Sequence, residues 1–231
     1  LPTPTRESHA AAKRILAWLS NRADLGITYG APHLRSVKDL LPPDVDCPPM
    51  SQQVDYSLHA CVDSDLPGNA IEPSDVIVDS GSHRAQLGYC IFLAGAPFES
   101  SSRRQHSTAI DVSAAEMYAA STLGAVLVTV LGVAHFLSFG VLGNEPARVW
   151  CDNSAAVLAG SDATSIKRLA YIARRVRFLQ ELVVRGVIKM VKVPGDANPA
   201  DALTKHLSKA VFREYCARLY QSVASLFKLR G

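Results

Sequence analysis

The chain has 231 residues, 48% of them hydrophobic, and a formal net charge of +3. That apolar content suffices for a full core and excludes a disordered chain, while the charge is too small to name a polyanionic partner; any nucleic-acid contact must rest on where the Lys and Arg residues lie. The five cysteines, Cys47, Cys61, Cys90, Cys151 and Cys216, are widely spaced and include no CxxC pair, which argues against a disulfide framework and a zinc site and for a reducing, intracellular setting.

The opening LPTPTRES has no basic-then-apolar signal pattern, so the protein is expected not to be secreted and to be cut from something longer. Residues 5–20 space Ala10, Ala11, Ile15, Leu16, Trp18 and Leu19 along one helical face, and a short strand is expected over 25–29. Five prolines between 30 and 53 mark a linker and place a domain boundary near residue 50. The alternation of Tyr56, Leu58, Ala60 and Val62 then predicts a strand that ends in carboxylates at Asp63 and Asp65. Residues 69–84 read as an insertion loop, and 86–94 and 97–102 as two further antiparallel strands.

From Val112 the period becomes helical, with Ser113 as the expected N-cap and Glu116 one turn inside. Residues 119–143 carry no Asp, Glu, Lys or Arg, and a run of that length could cross a bilayer. Gly124, Gly132, Gly140, Thr122, Thr129 and His135 dilute it, however, and a bilayer would have to separate Glu116 from Asp152. The expectation is a helix buried against a sheet, with no membrane. The stretch RVWCDNSAA, 148–156, is a short buried strand that stops at Asp152 and starts a helix, so Asp152 is either an N-cap or a functional carboxylate at a strand end.

Residues 165–185 place Ile166, Leu169, Ile172, Val176, Leu179 and Val183 on one face of a long helix. Its other positions carry Lys167, Arg168, Arg174, Arg175, Arg177 and Arg185 against the single acid Glu181, an imbalance that tilts the reading from a solvated face toward phosphate contact. Gly186 ends that helix, 187–193 is a strand, 194–199 a turn, and Asp201 stands near the start of the next helix. Residues 207–229 are expected to form one more amphipathic helix.

The order is strand with Asp, strand, strand, helix with Glu, strand with Asp, helices, strand, helix with Asp. In that order the motifs VDSDLPG, QHSTAIDVSAAEM, WCDNSAA and NPADALTK resemble those of the ribonuclease H domain of copia-type retrotransposon polyproteins, and PTRESHAAAKRILAWLSNRADLGITYG resembles the segment joining the reverse transcriptase to it. The likeness runs from about residue 2 to residue 209.

The resemblance implies an α/β ribonuclease H-like fold, with a mixed five-stranded sheet flanked by helices and an N-terminal helix-strand connection segment. It implies a connection segment over 1–50, the domain over 51–209 and a C-terminal helical extension over 210–231. Asp63, Glu116, Asp152 and Asp201 become the catalytic, metal-binding carboxylates. The implied cofactor is a pair of Mg²⁺ ions about 4 Å apart, hard cations that take oxygen ligands, with Mn²⁺ able to substitute. Asp63 and Asp152 would bridge or flank the ions, Glu116 would bind one and help position the substrate 2′-hydroxyl, and Asp201 would hold the ion at the attacking water.

The implied activity is hydrolysis of the RNA strand of an RNA/DNA hybrid during reverse transcription, with Asn153, Lys167, Arg168, Arg174, Arg175 and Arg177 contacting the nucleic acid. The implied partner is an upstream reverse transcriptase domain of the same polyprotein, and the setting a cytoplasmic particle or the nucleus. The alternative is a catalytically silent module of the same fold that binds nucleic acid or supports a polymerase.

Overall fold

The computed structural model describes residues 5–22, 25–27, 58–66, 84–93, 96–138, 145–161, 171–219 and 221–222. Most of the expected linker over 30–53 and insertion loop over 69–84 lies outside them. The central strand is β2 (Leu58–Asp65), buried from Leu58 to Ser64 on both faces, as its nearly continuous apolar run requires. On one side it pairs antiparallel with β3 (Gln86–Leu93), which pairs antiparallel with the edge strand β4 (Ala96–Arg104). On the other side it pairs parallel with β5 (Ala147–Cys151), which pairs parallel with β6 (Ile188–Lys192). The resulting order β4-β3-β2-β5-β6 is the mixed five-stranded sheet of the ribonuclease H-like fold.

Parallel neighbours need crossovers, and helices supply them. Helix α2 (Val112–Ser138) returns the chain from β4 to β5, while α3 (Ser154–Ser161) and α4 (Ala173–Val184) return it from β5 to β6. The main core fills the space between these helices and the sheet, with Val62, Leu87, Ile91, Met117, Leu123, Val149 and Leu179 among its fully buried members. Gly124 lets α4 lie close on α2, since a Cβ there would come within 2.9 Å of Leu182 Cδ1. A second cluster on the opposite sheet face joins Cys61, Cys90, Phe92, Trp150, Val191, Val193 and Ala200.

Several expectations are corrected. Asp111, not Ser113, caps α2: the Ala114 N–H donates to Asp111 Oδ1 at 2.8 Å. Helix α2, which carries the charge-free run, is buried mainly in its first half. A helix of 27 residues is about 40 Å long, a strand of eight about 27 Å, so α2 overhangs the sheet and leaves Val128, Val133, Phe136 and Leu137 exposed, Phe136 to 79%. Of the described helices it alone is long and apolar enough to cross a membrane. Helix α4 begins at Ala173, after a 3₁₀ turn at Tyr171 and Ile172; residues 162–170, with Lys167 and Arg168, lie outside the described residues. It ends where Gly186 takes φ +67°, a conformation that favours glycine.

The long terminal helix is also shorter than expected. After the short α5 (Asp201–Thr204), α6 (Lys209–Leu219) stops, and Gln221–Ser222 forms a strand, β7, antiparallel to β1 (Leu25–Gly26). The N-terminal helix α1 (Arg6–Ser20) is closed by a capping box between Thr5 and Ser8. Its Trp18 meets Phe212 of α6 edge to face, with ring centroids 6.0 Å apart. Ile15, Leu16 and Leu19 of the same face stay exposed, while Trp18 is half-buried.

Candidate active site

The parallel register of β2 and β5 pairs Val62 with Cys151, so the next residues, Asp63 near the end of β2 and Asp152 just past β5, stand side by side. Glu116 reaches the same place from the second turn of α2, and Asp201 from the start of α5. One carboxylate oxygen from each of Asp63, Asp152 and Asp201 lies within 4.8 Å of the others; Glu116 and Asp152 likewise gather with Cys151 Sγ. Asp152 belongs to both groups, so the fold brings all four predicted carboxylates together. Asp65, the other acid of that strand, is exposed.

Three of the four carboxylates, Glu116, Asp63 and Asp201, are held by neighbouring groups. Glu116 Oε1 accepts the Ser64 N–H at 3.1 Å, and the Cys151 thiol donates to Glu116 Oε2 at 3.8 Å. Asp63 Oδ2 accepts the Thr204 hydroxyl. The Lys205 ammonium lies 2.9 Å from Asp201 Oδ1 and 3.9 Å from Asp63 Oδ2. Asn198 ties the turn before α5 to the end of β2, donating to the Val62 carbonyl at 2.9 Å and accepting the Ala200 N–H at 3.1 Å. Asp152 has no capping task, because the Ala156 N–H at the start of α3 donates to Asn153 Oδ1 at 3.0 Å. The chain also passes close to Asp152 at Gly195, where a Cβ would stand 3.2 Å from Oδ2.

Burial and mutual repulsion dominate the electrostatics. Burial pushes Asp63 up to about 6; Asp201 and Asp152 add to the rise, against the Thr204 hydrogen bond and the Lys205 charge. Glu116 is pushed up to about 9 by burial, then by Asp63 and Asp152. Burial also raises Asp201, opposed by Lys205. Lys205 itself is raised: burial works against its charge, but the Asp201 hydrogen bond and the nearby carboxylates outweigh it. Burial and then Glu116 raise the Cys151 thiol, so it stays protonated.

The donor set fits a hard divalent cation. It is dominated by carboxylate oxygens, and its one sulfur is a protonated thiol, a poor ligand for Mg²⁺ and an unreactive one for a soft metal.

The predicted nucleic-acid contacts fare differently. Arg174 and Arg175 line a groove of about 620 Å³ between the ends of β3 and β4, α2 and α4, together with Arg103, Arg104 and His106, and no acidic side chain lines it. Arg175 is fixed there, its guanidinium 3.7 Å over the Tyr118 ring and 3.0 Å from Ser121 Oγ. Arg177 is exposed on α4 and does not line the groove, and Asn153 is the cap just described. Sequence reading missed Thr204, Lys205 and Asn198, and the basic pair Arg103 and Arg104. Only the i, i+4 spacing of Asp201 and Lys205 was a signal available in the sequence.

A central strand with antiparallel neighbours on one side and parallel ones on the other is the sheet of a ribonuclease H-like fold. The expected likeness to the polyproteins of copia-type retrotransposons is found. The chain is similar to the retrovirus-related Pol polyprotein from transposon RE2 of Arabidopsis thaliana, 24% identical over 216 residues that make up 94% of this chain and 13% of that protein. It is also similar to the one from transposon TNT 1-94 of Nicotiana tabacum, 26% identical over 146 residues, 63% of this chain and 11% of that protein. The chain thus spans a small fraction of the relatives it matches. No family model matches it. Among solved structures it resembles LC11-RNase H1 isolated from compost, at 17% identity and a TM-score of 0.47, covering 64% of this chain and 92% of that one.

Proposed function

We infer that the protein is a metal-dependent endonuclease that hydrolyses the RNA strand of RNA/DNA hybrids during reverse transcription of a retroelement, with residues 51–209 as the working domain. The observation that carries this reading is the convergence of Asp63, Glu116, Asp152 and Asp201, from four separate elements, on one small volume beside a basic groove. Four acids at one place are costly without a cation, and burial with mutual repulsion pushes Asp63, Glu116 and Asp201 upward.

Two Mg²⁺ ions held by these four carboxylates would supply a polarised water and a stabilised leaving oxygen for in-line phosphodiester hydrolysis. The chain's own residues do the remaining work. The Ser64 N–H fixes the orientation of Glu116; Thr204 and Lys205 hold Asp63 and Asp201; Asn198 keeps the Asp201 turn seated on β2. Arg174, Arg175 and the basic end of β4 bind phosphates along the groove and so set which bond of a bound strand meets the acids. The 2′-hydroxyl distinguishes the strand to be cut, and Glu116 helps to position it.

In the parent polyprotein the exposed Ile15, Leu16 and Leu19 of α1 face an upstream reverse transcriptase, in a cytoplasmic particle or the nucleus. The test is an end-labelled hybrid with Mg²⁺ or Mn²⁺. Cleavage of the RNA strand alone, abolished by chelation, is expected; equal cutting of duplex DNA would sink the assignment. Hybrid binding without cleavage would point to the silent module.

A further inference from the structure

Gln105 follows the last residue of β4 and is 1% exposed, an uncharged amide sunk beneath the start of α2. Its main-chain N–H donates to the Ala85 carbonyl at 2.9 Å, which fixes the residue beside the start of β3. Its side-chain Nε2 donates twice, to the Ala115 carbonyl at 2.8 Å and to Ser64 Oγ at 3.0 Å. Both acceptors adjoin the placement of Glu116. Ala115 is the residue before it on α2, and Ser64 is the residue whose N–H donates to Glu116 Oε1.

The amide has one way round. Ser64 Oγ donates its own proton to the Gln86 carbonyl at 3.2 Å and so accepts from Gln105; a reversed amide would set its oxygen against the Ala115 carbonyl. Gln105 Oε1 is then left buried without a partner. A side chain kept there for packing alone would be apolar, because a buried unsatisfied carbonyl lowers stability and a methionine fills a similar volume without that cost. What an apolar residue cannot do is hold the Ala115 carbonyl and the Ser64 hydroxyl at a fixed separation. Those two points set the backbone that carries Glu116 and the N–H that orients its carboxylate.

We propose that Gln105 is a positioning residue for Glu116, acting through Ser64 and Ala115 to hold that carboxylate in the orientation that binds a divalent cation. The proposal rests on the reading of Glu116 as a metal ligand. Outer partners of ligating groups typically change metal affinity or activity by about 10- to 100-fold when lost.

The test is a double-mutant cycle read by Mn²⁺ binding, with calorimetry or the electron spin resonance of free Mn²⁺, on the full chain. Glu116→Gln lowers Mn²⁺ affinity; Gln105→Met lowers it by about tenfold with an unchanged circular dichroism spectrum. The double variant binds no more weakly than Glu116→Gln alone, because Gln105 acts only through that carboxylate. Wild-type affinity in Gln105→Met, or losses that multiply in the double variant, overturns the proposal. An Mn²⁺ affinity indifferent to Glu116→Gln overturns it together with the metal-ligand reading, and is recognisable as such. Should Gln105→Met fail to fold, Ser64→Ala removes the accepting hydroxyl while keeping the N–H, and the same non-additivity with Glu116→Gln is expected.

Discussion

Asp152 and Asn153 divide two tasks that a single acid at a strand end often combines. Because Asn153 Oδ1 takes the Ala156 N–H, substitution of Asp152 leaves the start of α3 capped. Asp152→Asn therefore lowers hybrid cleavage by roughly two orders of magnitude or more, several kcal/mol of transition-state stabilisation, while the melting temperature does not fall. Retained activity in that variant would remove Asp152 from the metal site. From the sequence alone the two residues could not be separated, since both Asp and Asn cap helices and only the hydrogen bond shows which one does. The same ambiguity misplaced the cap of α2, where Ser113 and Asp111 are both competent. Gln105 was illegible for a different reason: its partners at Ser64 and Ala115 come together only when the sheet has formed.

At the scale of elements, the shortest helix depends on a glycine in another strand. A Cβ on Gly88 of β3 would stand 2.7 Å from Thr204 Cγ2 and 2.8 Å from Leu203 Cβ, so α5 has to move for any side chain to fit there. Gly88→Ala is expected to shift Thr204 and Asp201 off the cluster and to weaken Mn²⁺ binding. It should also destabilise by about 1–3 kcal/mol, the usual cost of overpacking. Unchanged Mn²⁺ affinity would mean that α5 yields without disturbing the carboxylates. The basic groove makes a second prediction at this scale. Arg174→Gln with Arg175→Gln flattens the dependence of log affinity for hybrid on log salt by up to about 0.9 per true phosphate contact. Arg177→Gln, outside the groove, changes the slope less. Equal effects from both would return these arginines to a solvated face.

Element by element, periodicity carried most of the sheet and failed at ends. The buried run of β2 and the alternation before Asp63 stop at polar residues, so the strand ends and their carboxylates could be read locally. The amphipathic pattern after residue 207 contains no such stop, and the helix was extended to 229. What ends it is β7 pairing with β1, a partner from the other end of the chain. The charge-free run of α2 likewise told its composition but not its overhang, which depends on the length of the strands beneath it.

For the whole molecule, the acid cluster makes stability depend on pH in the direction opposite to a salt-bridged protein. Asp63 rises from 3.8 to about 6 and Glu116 from 4.5 to about 9, so between those values the folded chain holds more protons than the unfolded one. Stability present at low pH is lost as pH rises through the folded values. In chelator, the melting temperature is expected to fall from pH 5 to pH 8 by an amount on the order of a few degrees. Mg²⁺ should restore most of it at pH 8 and little at pH 5, where protons compete for the ligands. A metal-free melting temperature that climbs over this range would contradict the buried, mutually repelling cluster.

The pairing of β1 with β7 has a mechanical consequence when the chain is pulled from both sides of the domain. Leu25 faces Ser222 and Gly26 faces Gln221, so the chain segments that lead outward, before Leu25 and after Ser222, leave from the same end of the ladder. Within this ladder such a pull loads the Leu25 and Ser222 pair first and the Gly26 and Gln221 pair next, the peeling geometry in which hydrogen bonds break singly and at low force. All five strands of the main sheet, with Asp63 and Asp152, lie in the chain between Gly26 and Gln221 and so inside this clasp.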